Sequence, residues 1–596
     1  MDAGVPIDKS DQDLAEGEAT PPLSAAELLK RDSKQLRGTI LDELGEPTDH
    51  FSGDAVALLK HHGSYQQDDR DLRNRKDADG NRLGKAYSMM IRTAVPGGRM
   101  TAAQFLGHLD LADQYANKTL RLTTRQGVQF HGVLKDNLKA TIKGINDTLL
   151  TTMAACGDVS RNVMCCPAPL NGDPVRERMQ EHAEALAVHL RPRTTAYHEL
   201  WLTDEETGEK TNLAPKFEAV EEPIYGERYL PRKFKIGLCV PEDNCVDVLT
   251  YDLGYVAVRG EGDTLEGYDV FVGGGQGVTP AKKNTEPMVA KRMCFVTPDE
   301  VLSIATAIVK VQRDYGNRED RKQARMKYLI RDRGLDWFRA EVEKYHLADG
   351  GGPLKEARGV EITDALDHIG WFRQSLPEDD ATDPDGGKWF LGVDIEGGRI
   401  MDSGRARWKS GLRAVVERFG CPVHLTALHA VLLCGIDASD KPEVEKILRD
   451  HGVPLADELS LLRKYSMACV GLPTCGLSVT DSERVLPQVL DSLEELQRKH
   501  GLEEERITMH MTGCPNGCAR PYTPDIGLVG KSKGRYTIFV GGNAIGTRLN
   551  RKFDDQVPLE EIADRLDPLF ARFASERVNG ESFGDFCNRE QVAAAA

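Results

Sequence analysis

The sequence predicts an α+β fold: a pseudo-two-fold duplicated chain in which each half carries a small α+β module and a larger α/β module. Three observations predict it. A strand–glycine turn–helix–strand unit occurs twice, about 300 residues apart, a spacing that marks a duplication and not a solenoid. The segments that follow each unit correspond in the same order. The chain has 596 residues, too many for a single hydrophobic core.

The elements follow in order. The first 25 residues are acidic and poor in apolar side chains, so they are expected to form a flexible tail. They lack the apolar stretch of a secretory signal and the arginine-rich pattern of a transit peptide. HHGSYQQDDRD (61–71) is too polar for core and reads as an arm lying on a surface. SMMIRTAV (88–95) predicts a strand ending at the turn Pro96-Gly97-Gly98. TAAQFLGHLDLADQYA (101–116) has helical spacing behind Thr101 as N-cap. TLRLTTRQGVQFHGVL (119–134) alternates as a half-buried strand.

The unit returns as KWFLGVDI (388–395), EGGRI (396–400), GLRAVVERFG (411–420) and PVHLTALHAVLLCGI (422–436). RLTTRQGVQFHGV lines up loosely with HLTALHAVLLCGI. Likewise RNVMCCPA (161–168) is answered by SMACVGLPTC (466–475), and YDVFVGGGQG (268–277) by YTIFVGGNAIG (536–546). Two helices are well signalled. One spans 297–316 behind a Thr297/Glu300 capping box. The other spans 480–501, where Pro487 either kinks the helix or moves its start. The expected boundaries are 1–76 for the tail and arm, 77–150 and 345–437 for the small modules, and 151–344 and 438–596 for the larger ones.

Composition narrows the function classes. Hydrophobic residues make up 40% and charged residues 29%, the balance of a soluble globular protein. No apolar run reaches the roughly 18 residues of a membrane span. A formal net charge of −17 argues against non-specific nucleic-acid binding. Thirteen cysteines without a secretory signal predict reduced, cytoplasmic thiols with metal or redox roles.

The strongest chemical signal lies between residues 469 and 518. Cys469 and Cys475 are separated by five residues, Cys514 and Cys518 by three. Four thiolates in two close pairs suit an iron–sulfur cluster. Structural zinc fits the second pair but not the first, and unligated thiols are the remaining reading. Gly471, Gly476, Gly513 and Gly517 let the backbone turn close to sulfur, and Pro473 and Pro515 stiffen the loops. Cys156, Cys239, Cys294 and Cys434 read as core, while adjacent Cys165 and Cys166 follow Arg161 with no assigned role.

Cations gather in an otherwise acidic chain. Arg92, Arg121 and Arg125 lie in apolar or alternating segments, with Arg161 in SRNV and Arg232, Lys233 and Lys235 in YLPRKFK. Strand periodicity puts Lys233 and Lys235 on one face and Phe234 on the other. Solvated surface charge is the default reading of each. A polyanionic ligand accounts for the set.

These motifs together resemble the sulfite and nitrite reductase hemoprotein family. TGCPNGCARPYTPDIG (512–527) carries the family signature T-G-C-x3-C followed, after six residues, by an acid, an apolar residue and glycine. ACVGLPTC (468–475) resembles the partner motif, and the likeness runs from LRGTI (36–40) and YQQDDRD (65–71) to SFGDF (582–586). The resemblance implies two ferredoxin-like half-modules, and two larger modules holding sirohaem and a 4Fe–4S cluster at their junction. It implies that Cys469, Cys475, Cys514 and Cys518 ligate the cluster, with Cys518 also axial to sirohaem iron. It places Arg92, Arg161, Lys233 and Lys235 around the substrate anion. It sets Arg121, Arg125, Gln129 and His131 beside the macrocycle.

The implied activity is the six-electron reduction of sulfite to hydrogen sulfide. RKFK (232–235) resembles the sulfite-reducing branch, because the nitrite-reducing branch usually has asparagine at the second lysine. Nitrite reduction to ammonia is the alternative, and a non-catalytic metal-binding homologue is the reading from another class. VGGGQG (272–277) lacks the continuation of a dinucleotide fingerprint. NADPH, FAD and FMN are therefore expected on a separate flavoprotein subunit, with a ferredoxin as the other candidate donor.

Overall fold

The computed structural model describes residues 23–194, 201–203, 207, 210–212, 222–280, 282–375, 387–403 and 405–590. Most of the expected N-terminal tail, residues 1–22, lies outside them.

The duplication is explicit. The first half-module runs through strand Tyr87–Thr93, turn Pro96–Gly98, strand Arg99–Met100, helix Ala102–Tyr115, and strands Leu120–Leu122 and Val128–Val133. The second repeats it as Lys388–Asp394, Glu396–Gly398, Arg399–Ile400, Trp408–Phe419, Val423–Leu425 and Ala430–Asp437. Helix Ala102–Tyr115 starts at the predicted N-cap, with Thr101 and Gln104 closing a capping box. Gly98 (φ 76°) and Gly398 (φ 75°) occupy the same left-handed turn position in the two halves.

The halves exchange strands. Arg399–Ile400 of the second half pairs antiparallel with Leu120–Leu122 of the first, Arg399 opposite Arg121. In return, Arg99–Met100 pairs with Val423–Leu425, His424 opposite Arg99. The five-stranded sheet of each half-module therefore contains one strand from the other half.

The two larger modules also share one topology. In the first, strands Met164–Cys165, Ile236–Cys239, Leu253–Arg259, Leu265–Val272 and Lys291–Val296 lie in that spatial order. In the second, Ser466–Ala468, Met509–Thr512, Ile526–Ser532, Arg535–Val540 and Arg551–Pro558 do the same. In both, the first three strands run parallel and the last two pairings are antiparallel. The ends of the parallel strands, where loops converge on a ligand, carry the chemistry described below.

Three sequence readings are corrected. Residues 61–71 are not a surface arm: Ser64–Asp68 is an edge strand paired with Tyr87–Thr93. His61, His62 and Ser64 are buried, with His62 Nε2 2.7 Å from the Leu36 carbonyl. His61 likewise sets one ring nitrogen, Nδ1, 3.3 Å from the Leu58 carbonyl. Residues 119–134 form a hairpin, not one strand, because the Thr123 hydroxyl accepts from Arg125 N (3.2 Å) and Gly127 N (3.0 Å) and closes the turn. The helix sought from Thr480 begins at Leu486, with Pro487 in its first turn and Gly501 (φ 66°) as C-cap. The capping box at Thr297 forms as read.

One buried ion network fastens the exchanged strand to the second large module. Glu483 accepts from Arg121 Nε at 2.6 Å and from Arg399 Nη2 at 2.5 Å. Arg121 Nη2 also donates to Ala468 O (2.8 Å), and Arg399 Nη1 donates to His131 Nδ1 (3.0 Å). Removing one partner of a buried pair leaves an uncompensated charge, at about 3–5 kcal/mol. Glu483→Ala is expected to lower stability by that amount, read as an earlier thermal transition and faster inactivation on heating.

Candidate active site

The cysteine loops are placed by adjacent parallel strands. Cys469 directly follows Ser466–Ala468, and Cys514 and Cys518 follow Met509–Thr512. Cys469 N donates to Met511 O (3.0 Å), and Gly513 N donates to the Cys469 sulfur (3.3 Å). Gly513 admits no side chain, since a Cβ there would stand 2.1 Å from Ser478 Oγ. Gly517 (φ 64°) lies against the Gln276 backbone, 3.0 Å from a would-be Cβ. Val278 N donates to Pro515 O (2.9 Å). The glycine turn of residues 272–277 thus cradles the loop between Cys514 and Cys518.

The four thiols lie within electrostatic reach of one another. Burial, and next the Cys518 thiol, push Cys469 and Cys475 up and Cys514 to about 12. Backbone N–H groups, such as that of Gly513 on Cys469, and Arg70 near Cys475 offset part of their charge as thiolates without reversing the shifts, and a polycationic centre would offset the rest. A single tetrahedral zinc ion brings sulfurs to about 3.8 Å of one another. Among the described residues, no three of these four sulfurs come together within 4.8 Å. The set is wider than a mononuclear site and fits a multinuclear cluster.

Beside them lies a group of cations. Phe234 is buried and its carbonyl accepts from Arg161 N (3.0 Å), which leaves Lys233 and Lys235 on the opposite face, as strand periodicity predicts. Among the described residues neither ammonium has a hydrogen-bond partner. Lys233 is pushed well below the ordinary range by burial and then by Arg232 and Arg161. Lys235 is pushed down by burial and then by Lys233 and Arg125. The Cys518 sulfur opposes both shifts, so it stands within electrostatic reach of both lysines. The Gly157 carbonyl accepts from Arg161 Nε (3.2 Å) and Nη2 (3.1 Å). Arg92 Nη1 donates to the Cys156 sulfur (3.0 Å). Arg92 lies opposite Gln129 in the ladder; with the Gln129 amide oxygen turned toward it, Nε and Nη2 are 3.2 and 2.6 Å away.

The expected cofactor contacts divide into two kinds. Arg121 spends its guanidinium on Glu483, Leu122 O, Ala468 O and the His429 ring. His131 is held neutral by burial and by Arg399, Arg121 and Arg92, and accepts from Arg399. These two brace the site from behind. Arg125 is different. It stacks 4.6 Å from the Tyr251 ring, while its buried Nε and Nη1 have no partner.

The same deficit recurs at residues that sequence reading missed. Arg520 Nη2, Gln276 Nε2 and His429 Nδ1 are buried without partners. They belong to one site: Thr124 Oγ1 donates to Cys518 O (2.8 Å), and Arg520 Nη1 to Thr124 O (2.9 Å) and Tyr251 OH (3.5 Å). Native proteins rarely leave buried donors unmet. A macrocycle bearing many carboxylates satisfies Arg125, Arg520 and Gln276, so the residues present fit sirohaem as well as the cluster. A usable signal existed for His429: the internal repeat aligns it with Gln126, and both adopt positive φ (74° and 54°).

Two family models match the chain. The nitrite/sulfite reductase ferredoxin-like half domain matches residues 82–147 and 382–451. The nitrite and sulphite reductase 4Fe-4S domain matches residues 181–347. A protein of Staphylococcus saprophyticus, named the NADPH sulfite reductase hemoprotein beta-component, is 42% identical over 96% of both chains. The chain belongs to the nitrite and sulfite reductase family. A relative of the same name from Geobacillus thermodenitrificans is also 42% identical over 96% of both chains. The Mycobacterium tuberculosis NirA structure shares the fold, with a TM-score of 0.75 and 24% identity over 95% of this chain and 96% of that one. The paired half-domain matches coincide with the duplicated units. The 4Fe-4S domain model falls on the first large module, whereas the four candidate cluster cysteines of this family member lie in the second copy.

The four cysteines are the candidate corners of the cluster site. Cys469→Ser and Cys514→Ser are each expected to cost the purified protein its cluster iron and acid-labile sulfide, read by metal analysis and loss of visible absorbance.

Proposed function

We propose that the chain reduces sulfite to hydrogen sulfide, taking six electrons per sulfite. One observation carries this reading: Lys233 and Lys235 lie within electrostatic reach of the Cys518 sulfur and have no anionic partner of their own; Arg161, which acts on Lys233, and Arg92, which shares Tyr65 with Arg161, would complete the cations around the substrate. Cys469, Cys475, Cys514 and Cys518 would hold the 4Fe–4S cluster, with Cys518 shared with sirohaem. Arg125, Arg520 and Gln276 would meet the macrocycle carboxylates, with Arg121, Gln129 and His131 supporting that face. When bound, sirohaem and cluster deliver electrons to the sulfur of sulfite.

The rest is done by side chains. Arg92 and Arg161 bind and orient the anion through fixed guanidinium forks that stay charged at any working pH. Lys233 and Lys235 attract the same oxygens and lend them protons, so that each oxygen leaves as water. A lysine whose pKa is depressed toward the working pH is a better acid than an ordinary one. Fixed charge in a water-poor pocket stabilises the negative charge that accumulates during reduction. The second lysine, Lys235, supports sulfite over nitrite.

The relatives' name, a beta-component of an NADPH enzyme, supports a flavoprotein subunit as the electron source for this chain. The chemistry at the site is testable without it. With reduced viologen dye, kcat/KM for sulfite is expected to exceed that for nitrite, with sulfide as product; a preference for nitrite overturns the reading.

The lysines set a pH dependence. Their charged form binds sulfite, and their depressed pKa means the charge is lost as pH rises, before the roughly 10.4 of a free lysine. Sulfite kcat/KM is therefore expected to fall on the alkaline side at a pH below that value. Lys235→Arg keeps the charge but donates protons poorly, so it should spare KM, lower kcat by about 10²-fold and shift the alkaline limb upward.

A further inference from the structure

The pseudo-two-fold relates the cysteine loops of the second large module to a different set of side chains in the first. Cys469 directly follows strand Ser466–Ala468; Cys166 directly follows its counterpart, Met164–Cys165. Cys514 and Cys518 follow Met509–Thr512; Asp243 and Cys245 follow its counterpart, Ile236–Cys239. His368 joins them from the chain just before strand Gly370–Arg373. The ligand atoms of Cys166, Asp243, Cys245 and His368 all lie within 4.8 Å of one another. All four side chains are buried, with 0–4% exposure. Among the described residues no other such group of three or more exists.

The local hydrogen bonds aim these groups at a common point. Asp243 Oδ1 is held by Cys245 N and Leu366 N, each at 3.2 Å. Its other oxygen, Oδ2, lies 2.9 Å from Cys166 Sγ and 3.0 Å from His368 Nε2. His368 Nδ1 has no partner, so the imidazole makes its polar contacts through Nε2, on the side of the cluster. Arg176 Nη1 sits 2.9 Å from Cys166 Sγ and 3.0 Å from Asp243 Oδ2.

We propose that Cys166, Asp243, Cys245 and His368 bind one structural zinc ion at the pseudo-symmetric counterpart of the cluster site. Two thiolates, an imidazole and a carboxylate are the donor types that zinc selects. Bonds of about 2.0–2.3 Å place the corners of a zinc tetrahedron roughly 3.3–3.8 Å apart, within the observed spread. Charge closes as well. Two thiolates and one carboxylate exceed the dication by one negative charge, and Arg176, touching two of the ligands, cancels it. This matters where no water is available to solvate a net charge. The backbone N–H bonds on Asp243 Oδ1 orient the ligand in the manner of outer-shell support. The ion ties the loop after strand Ile236–Cys239 to the segment just before strand Gly370–Arg373, more than a hundred residues further along the chain. The inference stands apart from the sulfite reading.

The test uses the full-length holoprotein produced with zinc in the medium. Elemental analysis should find one zinc per chain in addition to iron, and the zinc X-ray absorption edge should report two sulfur and two nitrogen or oxygen neighbours. Cys166→Ala/Cys245→Ala should lose that zinc, and the milder His368→Gln should release it to a chelator at least tenfold faster while keeping the visible spectrum of the holoprotein. Four outcomes overturn the proposal. They are absence of zinc, a four-sulfur environment that puts zinc on the cluster cysteines, undiminished zinc in the double variant, and an intact mass and peptide map showing a Cys166–Cys245 disulfide.

Discussion

The exchange of two-residue strands between the half-modules is the constraint on which the rest depends. It sets Arg399 directly opposite Arg121 in an antiparallel ladder, a like-charged pair that is unfavourable by itself. Glu483 resolves it by taking one guanidinium on each carboxylate oxygen. Glu483 is in turn fixed by its own N–H to Cys469 O at 3.1 Å. The position of Cys469, the first of the four candidate cluster cysteines, is therefore tied to the pairing of strands that precede it by some seventy and more than three hundred residues. Gly398 is required at the junction, since a Cβ there would stand 2.2 Å from Arg121 Nη1.

Electrostatics are arranged against the chain's overall sign. A protein with net charge −17 sets Lys233 and Lys235 within electrostatic reach of the Cys518 sulfur, with Arg125, Arg161 and Arg520 near one another and near those lysines. Some are neutralised, as Arg520 is by Asp247. Others are left wanting an acceptor. Leaving buried donors unmet costs stability, and the cost is recovered only when an anionic ligand arrives. The acidic remainder of the surface keeps the attraction local.

Much of this was legible in the sequence, for identifiable reasons. The duplicated strand–turn–helix–strand order was visible because glycine turns and periodicity recur at matched spacing. Lys233 and Lys235 could be put on one face because strand alternation is strict. The four cysteines carried a spacing that few other sites have. Residues 61–71 were misread because polarity was taken for exposure, although the turn leading into an edge strand can bury histidines that each set one ring nitrogen against a carbonyl. The hairpin tip at Thr123–Gly127 was hidden inside an apparently continuous alternation. Arg520, Gln276 and His429 were missed because a missing partner is a property of three-dimensional packing and leaves no periodic trace. Cys166, Asp243, Cys245 and His368 come from three loops far apart in the chain, so no spacing rule could join them.

The strand exchange also has a bearing on synthesis. Leu120–Leu122 offers an unpaired edge until Arg399–Ile400 has been made, about 280 residues later. At ~5–20 residues per second, the nascent chain carries that open edge for roughly 15–55 s. The edge is short and bears an arginine, a device that discourages pairing with the wrong strand. The cysteines arrive later still, so metal loading is a late event on the ribosome or follows release from it, once both halves have closed on each other.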